Sequence, residues 1–433
     1  MTDTGNPIVR LFGRLDPANS SSPLRASGAG RPLAEPAILQ ELHGFGRNPG
    51  NLRMHAYVPD RLALSPALVV AMHGCGQNAY DYDKGAGWST LADRFGFIVA
   101  YPEQQSSNNP RTCFSWFNPD DIARNQGEAL SIREMAEHAI VKFGIDRSRV
   151  FVTGLSAGGA MTSVMLATYP EVFAGGAIIA GLPFGAAHSV HEALNAMYTD
   201  QAVAAPVLGD RVRTASEHRG PWPKISVWHG TADTIVKPSN AEHSVNQWID
   251  VHGLTSEPSR SERSGGHVHR IWNGDDGCAV LESFTLQGMP HGVPLGQTTG
   301  VGSCGVAGQY FLDVGLCSTS HIAAAWGLNR ERDGTQHGPS GGDTRLEYMR
   351  PDDRLTAMTA GHAAGKAGPA ATTALDRRGS EPLLEANSVI AAAFKAAGLP
   401  GSVFTGHSIG ARGRIQAQAI IDSALLAAGL KRK

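Results

Sequence analysis

Arg149-Val150-Phe151-Val152-Thr153-Gly154-Leu155-Ser156-Ala157-Gly158-Gly159-Ala160-Met161 decides how the rest of this chain is read. The stretch predicts a strand, a tight turn and a helix. Phe151 and Val152 bring the aromatic and β-branched character of a buried strand, and Gly154, Gly158 and Gly159 permit a turn too sharp for residues that carry a Cβ. Ser156 falls at the apex. A serine hydroxyl is a weak nucleophile. Chemistry at this position needs a histidine to take its proton, an acid to orient that histidine, and two N–H donors for the oxyanion. The G-x-S-x-G spacing alone is equally compatible with a small-residue turn and a solvated serine, so its surroundings must decide its meaning.

Upstream, residues 1–40 are rich in Gly, Pro, Ser and Ala, including Asn19-Ser20-Ser21-Ser22-Pro23, and read as a flexible leader without chemistry. From Leu52 the texture changes. Leu52 to Val58 has a strand's alternation, and Ala67 to Met72 is a short continuous apolar run, the mark of a strand buried on both faces. It ends in His73-Gly74-Cys75-Gly76-Gln77. A helical stretch from Trp88 to Phe95 precedes a second apolar run, Phe97 to Tyr101, which stops at Pro102. A loop with Cys113, Trp116 and Phe117 follows, and then a helix from Gly127 to Phe143 with Ile132, Met135, Ala136, Ala139 and Ile140 on one face.

Downstream, Ala160 to Thr168 continues the helix, and Ala177 to Gly181, Ile225 to Gly230 and Leu281 to Leu286 read as further strands. Residues 185–220 read as interrupted helix, a small cap or insertion over the sheet. Strands alternating with helices imply an α/β fold with a mostly parallel, doubly wound sheet, whose ligand site lies beyond the carboxyl ends of the strands. The organisation expected is a catalytic domain over residues 41–332 and a Gly/Ala-rich linker with a small helical appendage over 333–433. Within that appendage, Leu384 to Leu399 and Ile415 to Leu430 both finish in Ala-Ala-Gly-Leu.

The 433 residues, 42% of them hydrophobic, are enough to bury a large core. A formal net charge of −2 offers no electrostatic footprint for nucleic acid or an anionic membrane, and small or neutral substrates fit better. No apolar run reaches membrane-spanning length, and no secretory signal is visible. The five cysteines, Cys75, Cys113, Cys278, Cys304 and Cys317, include two pairs in separate stretches, which would suit disulfides in an oxidising compartment. The two compartment clues conflict, and the localisation stays open. No C-x-x-C spacing favours zinc.

Partners for Ser156 follow in chain order, acid then histidine. Asp233, in His229-Gly230-Thr231-Ala232-Asp233, stands in the loop after a strand. His291, in Gly288-Met289-Pro290-His291-Gly292, stands just after the last clear strand. Against these, Asp233 could be a turn-capping residue and His321 could serve as the base, with Asp275 and Asp276 as reserve acids beside Asn273-Gly274. The N–H groups of Ala157 and of Cys75, in the loop after an earlier strand, are the candidate oxyanion donors. A disulfide from Cys75 to Cys113 would remove the thiol, stabilise by roughly 4 kcal/mol in the loop-entropy model, and tie the oxyanion loop to the Cys113-Phe114-Ser115-Trp116 loop. A second G-x-S-x-G surrounds Ser408, but only residues 411–433 follow it and they contain no histidine, so it reads as a chance match.

With His73 to Ala79, Tyr101-Pro102-Glu103-Gln104, Cys113 to Phe117, Arg149 to Met161 and His229 to Asp233 in hand, the chain resembles the poly(3-hydroxybutyrate) depolymerase family of esterases over about residues 50–330. That family consists of α/β-hydrolases and also holds feruloyl and acetyl-xylan esterases. The resemblance implies Ser156 as nucleophile, Asp233 as orienting acid, His291 as general base and Cys75 and Ala157 as oxyanion donors, with no metal or organic cofactor. It implies a neutral polyester or oligomer as substrate, or alternatively a feruloylated or acetylated plant polymer. It also places the segment from Cys304 to Leu328 in the catalytic domain. Trp88, Trp116, Phe117 and Trp326 are candidates to line an apolar groove, although core packing explains such residues as well. A non-catalytic binding protein on the same fold is the remaining reading, and the complete triad order argues against it. A histidine base predicts activity that falls as pH drops through the ordinary imidazole range, about 6.5.

Overall fold

In the computed structural model, residues 39–296 and 305–329 are described. The leader, apart from Leu39 and Gln40, the appendage, Ser408 and Cys304 lie outside them. The first half runs β1 (Gln40–Leu42), β2 (Arg53–Tyr57), β3 (Leu68–Met72), α1 (Ala79–Ala86), α2 (Trp88–Phe95), β4 (Ile98–Glu103), α3 (Pro119–Ile122), α4 (Gly127–Phe143), β5 (Val150–Leu155), α5 (Ala157–Thr168) and β6 (Gly175–Ile179). After it come α6 (Val190–Tyr198), α7 (Ala205–Ala215), β7 (Lys224–Gly230), α8 (Ser239–His252), β8 (Arg260–Ser264), β9 (His267–Asn273), β10 (Ala279–Leu286), β11 (Val293–Leu295), β12 (Phe311–Asp313) and α9 (Ser318–Ala325).

The described strands form a ten-stranded sheet in the order β1-β2-β4-β3-β5-β6-β7-β10-β9-β8, with β11 and β12 paired separately. From β4 to β10 every neighbour is parallel, while β1 and β2 at one edge and β9 and β8 at the other are antiparallel. Every residue of β3 and β5 is buried. Leu68, Val70, Met72, Val150 and Val152 face a core shared with α4, α5, α7 and α8, whereas Val69, Ala71, Phe151 and Leu155 face one shared with α1, α2 and α9. Helices on both faces are why these strands read as unbroken apolar runs.

The strand expected to stop at Pro102 continues to Glu103. Its parallel pairing with β3 ends at Ala100, and beyond that it pairs with β2 alone, Met54 opposite Pro102. A residue without an N–H is tolerated where one side of the ladder is already open. The segment expected as a cap holds α6 and α7, and α7 packs against α8 and α5 in one helical layer.

Candidate active site

The apex of the turn between β5 and α5 is Ser156, with φ 59° and ψ −116°. Such a backbone is rare for a residue with a Cβ and persists only where its surroundings enforce it. Here the Ser156 N–H donates to the Ile179 carbonyl at 2.9 Å, and the Ser156 carbonyl accepts from the Ala160 N–H at 2.8 Å. A Cβ on Gly158 would stand 2.4 Å from the Met72 carbonyl and 2.6 Å from that of His73, so glycine lets the new helix abut the end of β3. Ala157 opens α5, and its N–H belongs to the first turn, where no carbonyl within the helix can accept it. The elbow thus brings one backbone donor without a partner among the described residues, and one hydroxyl, to the same end of the sheet.

Asp233 follows β7 and His291 follows β10, two strands that are neighbours in the sheet. Their loops are stitched together. Thr231 N–H donates to the Leu286 carbonyl at 2.9 Å, Ala232 N–H to the Met289 carbonyl at 3.1 Å, and Gly288 N–H to the Thr231 hydroxyl at 2.8 Å. A Cβ on Gly230 would lie 2.0 Å from the Met289 carbonyl, which accounts for glycine after His229. In this frame His291 Nδ1 meets Asp233 Oδ2 at 2.7 Å, both side chains being buried. Asp233 Oδ1 accepts from the N–H groups of Ile235 and Val236 at 2.9 Å each. His229 Nε2 lies 2.9 Å from the Val236 carbonyl and 3.1 Å from Asp233 Oδ2. A carbonyl can only accept, so His229 Nε2 carries a proton and is a second donor onto Asp233. Burial works to raise the Asp233 pKa, but hydrogen bonds from His229 and His291 outweigh it and hold the carboxyl well below the usual carboxylate range.

The loop after β3 is built around buried His73. Its Nε2 accepts from the Gln104 N–H at 3.1 Å, so Nδ1 bears the proton and donates to the Gly74 carbonyl at 2.8 Å. Burial keeps this imidazole neutral by lowering its pKa. Within the loop, Gly74 N–H donates to Gln77 Oε1, Gly76 N–H to the Arg111 carbonyl and Gln77 N–H to the Gly74 carbonyl. Among the described residues no acceptor meets the N–H of Cys75. The Cys75–Cys113 disulfide is formed, with Cα atoms 4.3 Å apart, and Cys317 is also a disulfide cysteine.

Gln104 carries this order deeper. Its Nε2 donates to the Cys113 carbonyl at 3.2 Å and to Glu128 Oε1 at 2.6 Å, while Glu128 Oε2 accepts from the Ser115 N–H at 2.8 Å. Burial first, and the Asp121 charge second, push the Glu128 carboxyl up to about 8 against those hydrogen bonds. An unfolded chain releases this proton near pH 4.3 and the folded one does not, so stability falls as pH rises between those values, by up to about 1.4 kcal/mol per pH unit. Melting temperatures recorded from about pH 5 to pH 8 are expected to fall in the native protein relative to Glu128→Gln. Parallel curves would mean that Glu128 is ionised in the fold.

Of the candidates, Asp233 and His291 are brought together, and Ser156, Ala157 and Cys75 lie at the same carboxyl end of the parallel strands. Of the two readings open for the four aromatic residues, groove or core, packing favours the core for Trp88 and Trp326. Trp88 is 1% exposed and stacks on Trp326 at 5.9 Å, and Trp326 stacks on Phe151 at 4.7 Å. Phe151 is five residues, about 16 Å of strand, before Ser156, so this stack is core at the far end of the sheet. Trp116 and Phe117 are buried edge-to-face, at 5.4 Å, in the core that also holds Ala157 and Met161. His321 packs edge-on against the rings of Trp228 and Phe284. Asp276 caps the β9–β10 turn through the Cys278 N–H.

Four residues around the site have no role assigned from the letters. His229 was legible as the residue four before Asp233 at the end of a strand. Gln104 and Glu128 carry no spacing signal toward the serine. Neither does Tyr310, whose ring meets His291 edge-on at 5.9 Å.

A family model described as esterase PHB depolymerase matches residues 52–271. Poly(3-hydroxyalkanoate) depolymerase C of Paucimonas lemoignei is 45% identical over 291 residues, covering 67% of this chain and 70% of that protein. Feruloyl esterase B of Talaromyces stipitatus is 36% identical over 277 residues, covering 61% and 74%. Among solved structures, the acetyl xylan esterase from Aspergillus awamori superposes with a TM-score of 0.58 at 28% identity, covering 67% of this chain and 99% of that one. The chain belongs to the esterase PHB depolymerase family, carboxylic ester hydrolases of the α/β-hydrolase fold.

Proposed function

We propose that this serine hydrolase cleaves the ester bonds of short-chain poly(3-hydroxyalkanoates), such as poly(3-hydroxybutyrate) or its oligomers, through an acyl-enzyme on Ser156. His291 Nε2 takes the Ser156 proton as Oγ attacks the ester carbonyl. The N–H groups of Cys75 and Ala157 hold the oxyanion. His291 then protonates the leaving alcohol and activates the water that releases the acid. Asp233 keeps the proton on Nδ1, so that Nε2 faces the serine. The observation that carries this reading is the 2.7 Å Asp233–His291 pair on cross-linked loops at the same carboxyl end of the sheet as the elbow. The 45% identical relative, named a poly(3-hydroxyalkanoate) depolymerase, supports the substrate class.

A carbohydrate esterase releasing feruloyl or acetyl groups is the second reading, supported by relatives with those names. A side-by-side assay of 3-hydroxybutyrate oligomers, amorphous polymer, methyl ferulate and acetylated xylan separates the two. Highest kcat/KM on the oligomers or polymer is expected. Preference for the ferulate or the xylan transfers the enzyme to the second reading.

A further inference from the structure

A cavity of about 690 Å³ begins at Cys75 and is walled by the disulfide loop at Arg111 and by the segment from Val306 to Tyr310. It joins two parts of the machinery described above. Its lining includes Cys75, whose N–H meets no acceptor among the described residues, and Tyr310, edge-on to His291. Tyr310 holds a left-handed backbone, φ 66°, unusual for a residue with a side chain of this size. Its carbonyl accepts from the Val293 N–H at 2.8 Å, which ties the cavity wall to the strand just after His291.

Charge distinguishes the cavity. Lys84 and Arg111 both line it, both are exposed, and neither has an ion-pair partner among the described residues. The one carboxylate among the described lining residues, Asp81, already accepts from Asn78 Nδ2 at 2.8 Å at the start of α1. The site therefore presents two cations against one anion, on a chain whose overall charge is −2.

Resting on the polyester reading, we propose that this cavity is a carboxylate subsite for the leaving-alcohol half of a hydroxyacid oligomer. The chemistry of the substrate fixes which half that is. In a chain of 3-hydroxyacyl units the acyl part of any scissile ester extends toward the hydroxyl terminus, and the alcohol part extends toward the carboxyl terminus. Hydrolysis adds water across the C–O bond: the acyl group leaves as an acid by way of Ser156, and the alcohol oxygen takes its proton from His291. The departing fragment thus lies on the His291 side and carries the oligomer's only negative charge, ionised at neutral pH. A sugar released from a feruloyl or acetyl ester carries no such charge. The lining therefore favours soluble oligomers cut near their carboxyl end.

The test compares the 3-hydroxybutyrate trimer as free acid and as methyl ester in the native enzyme and in the Arg111→Gln/Lys84→Gln double variant. Because the readout is a ratio within one protein, differences in folding cancel. The native enzyme is expected to favour the free acid by about three- to tenfold in kcat/KM, carried in KM, the range of one or two exposed ion pairs. The ratio is expected to fall toward one in the variant and in about 1 M salt, where the Debye length is about 3 Å. Equal kcat/KM for the two trimers in the native enzyme overturns the subsite and leaves the polyesterase standing, since both are cleaved. A preference that survives the double substitution overturns its assignment to Lys84 and Arg111. Cleavage of neither trimer, with methyl ferulate hydrolysed, removes the polyester reading and the subsite together.

Discussion

Ser156→Ala is expected to keep the fold and lose hydrolysis of p-nitrophenyl butyrate by on the order of 10⁴- to 10⁶-fold, the loss seen when a serine nucleophile is deleted. Both halves of that expectation have a physical reason. Serine and alanine meet the same steric limit at φ 59°, because each has a single Cβ, and the Ser156 side chain makes no capping hydrogen bond that the helix would miss. What disappears is the hydroxyl at the carboxyl end of β5, and no other described serine occupies an equivalent turn. Circular dichroism and the melting temperature check the first half, and the esterase rate checks the second. Ser408→Ala is expected to leave the rate unchanged. An active Ser156→Ala enzyme, or an inactive Ser408→Ala one, would overturn the assignment.

Asp233→Asn should cost about 10⁴ in kcat with the loops still in place. The reason is the direction of one hydrogen bond. Asp233 can only accept, so the proton of His291 sits on Nδ1 and its Nε2 lone pair is free to act as base. An asparagine can turn its amide so that Nδ2 donates to Nδ1, which moves the proton to Nε2 and removes the base. Two neighbours of Asp233 fix which way that amide turns. Ile235 and Val236 N–H groups need an acceptor at the Oδ1 position, which leaves the Nδ2 end facing His291 and His229. The wrong tautomer is therefore the one the surrounding backbone selects. Rate loss with a native circular dichroism spectrum, whatever the fall in melting temperature, supports the orienting role. Full activity in Asp233→Asn would show that another acid orients His291.

The pH behaviour follows from the same geometry. The native-state pKa of Asp233 is depressed, so its stabilising contribution is present above the unfolded carboxylate range, about 3.9, and is lost as pH falls through the native value. Asp233 thus remains ionised wherever the enzyme works, and its titration does not shape activity near neutral pH. Glu128 has the opposite sign, because its folded value is raised and its stability cost grows with rising pH.

Much of this architecture is legible in the letters because burial leaves a periodic mark. Strands β3, β4 and β5 read as continuous apolar runs, since each is covered by helices on both faces, and α4 shows its apolar face over the range expected, Gly127–Phe143. Helix α8 gives only part of such a mark, in Val245, Trp248 and Ile249. Its buried side includes Asn240, Ser244 and Gln247, and Gln247 is satisfied by the backbone of Phe184 and Leu208. A polar residue buried by hydrogen bonding looks like a surface residue until its partners are known. The edge strand β8, Arg260–Ser264, is exposed along its whole length and reads as loop for the complementary reason.

The sequence by itself determined the elbow, the order of serine, acid and histidine along the chain, and the alternation that makes the sheet parallel, because each depends on residues close together or on simple chain order. Tertiary structure alone decided which histidines meet Asp233. His291 lies 58 positions away and His229 only four, yet both reach the same carboxylate oxygen because β7 and β10 are adjacent strands. It also decided that Trp88 and Trp326 belong to the core rather than to a groove, since aromatic side chains suit either place and only the strand register puts their stack at the end of the sheet remote from Ser156.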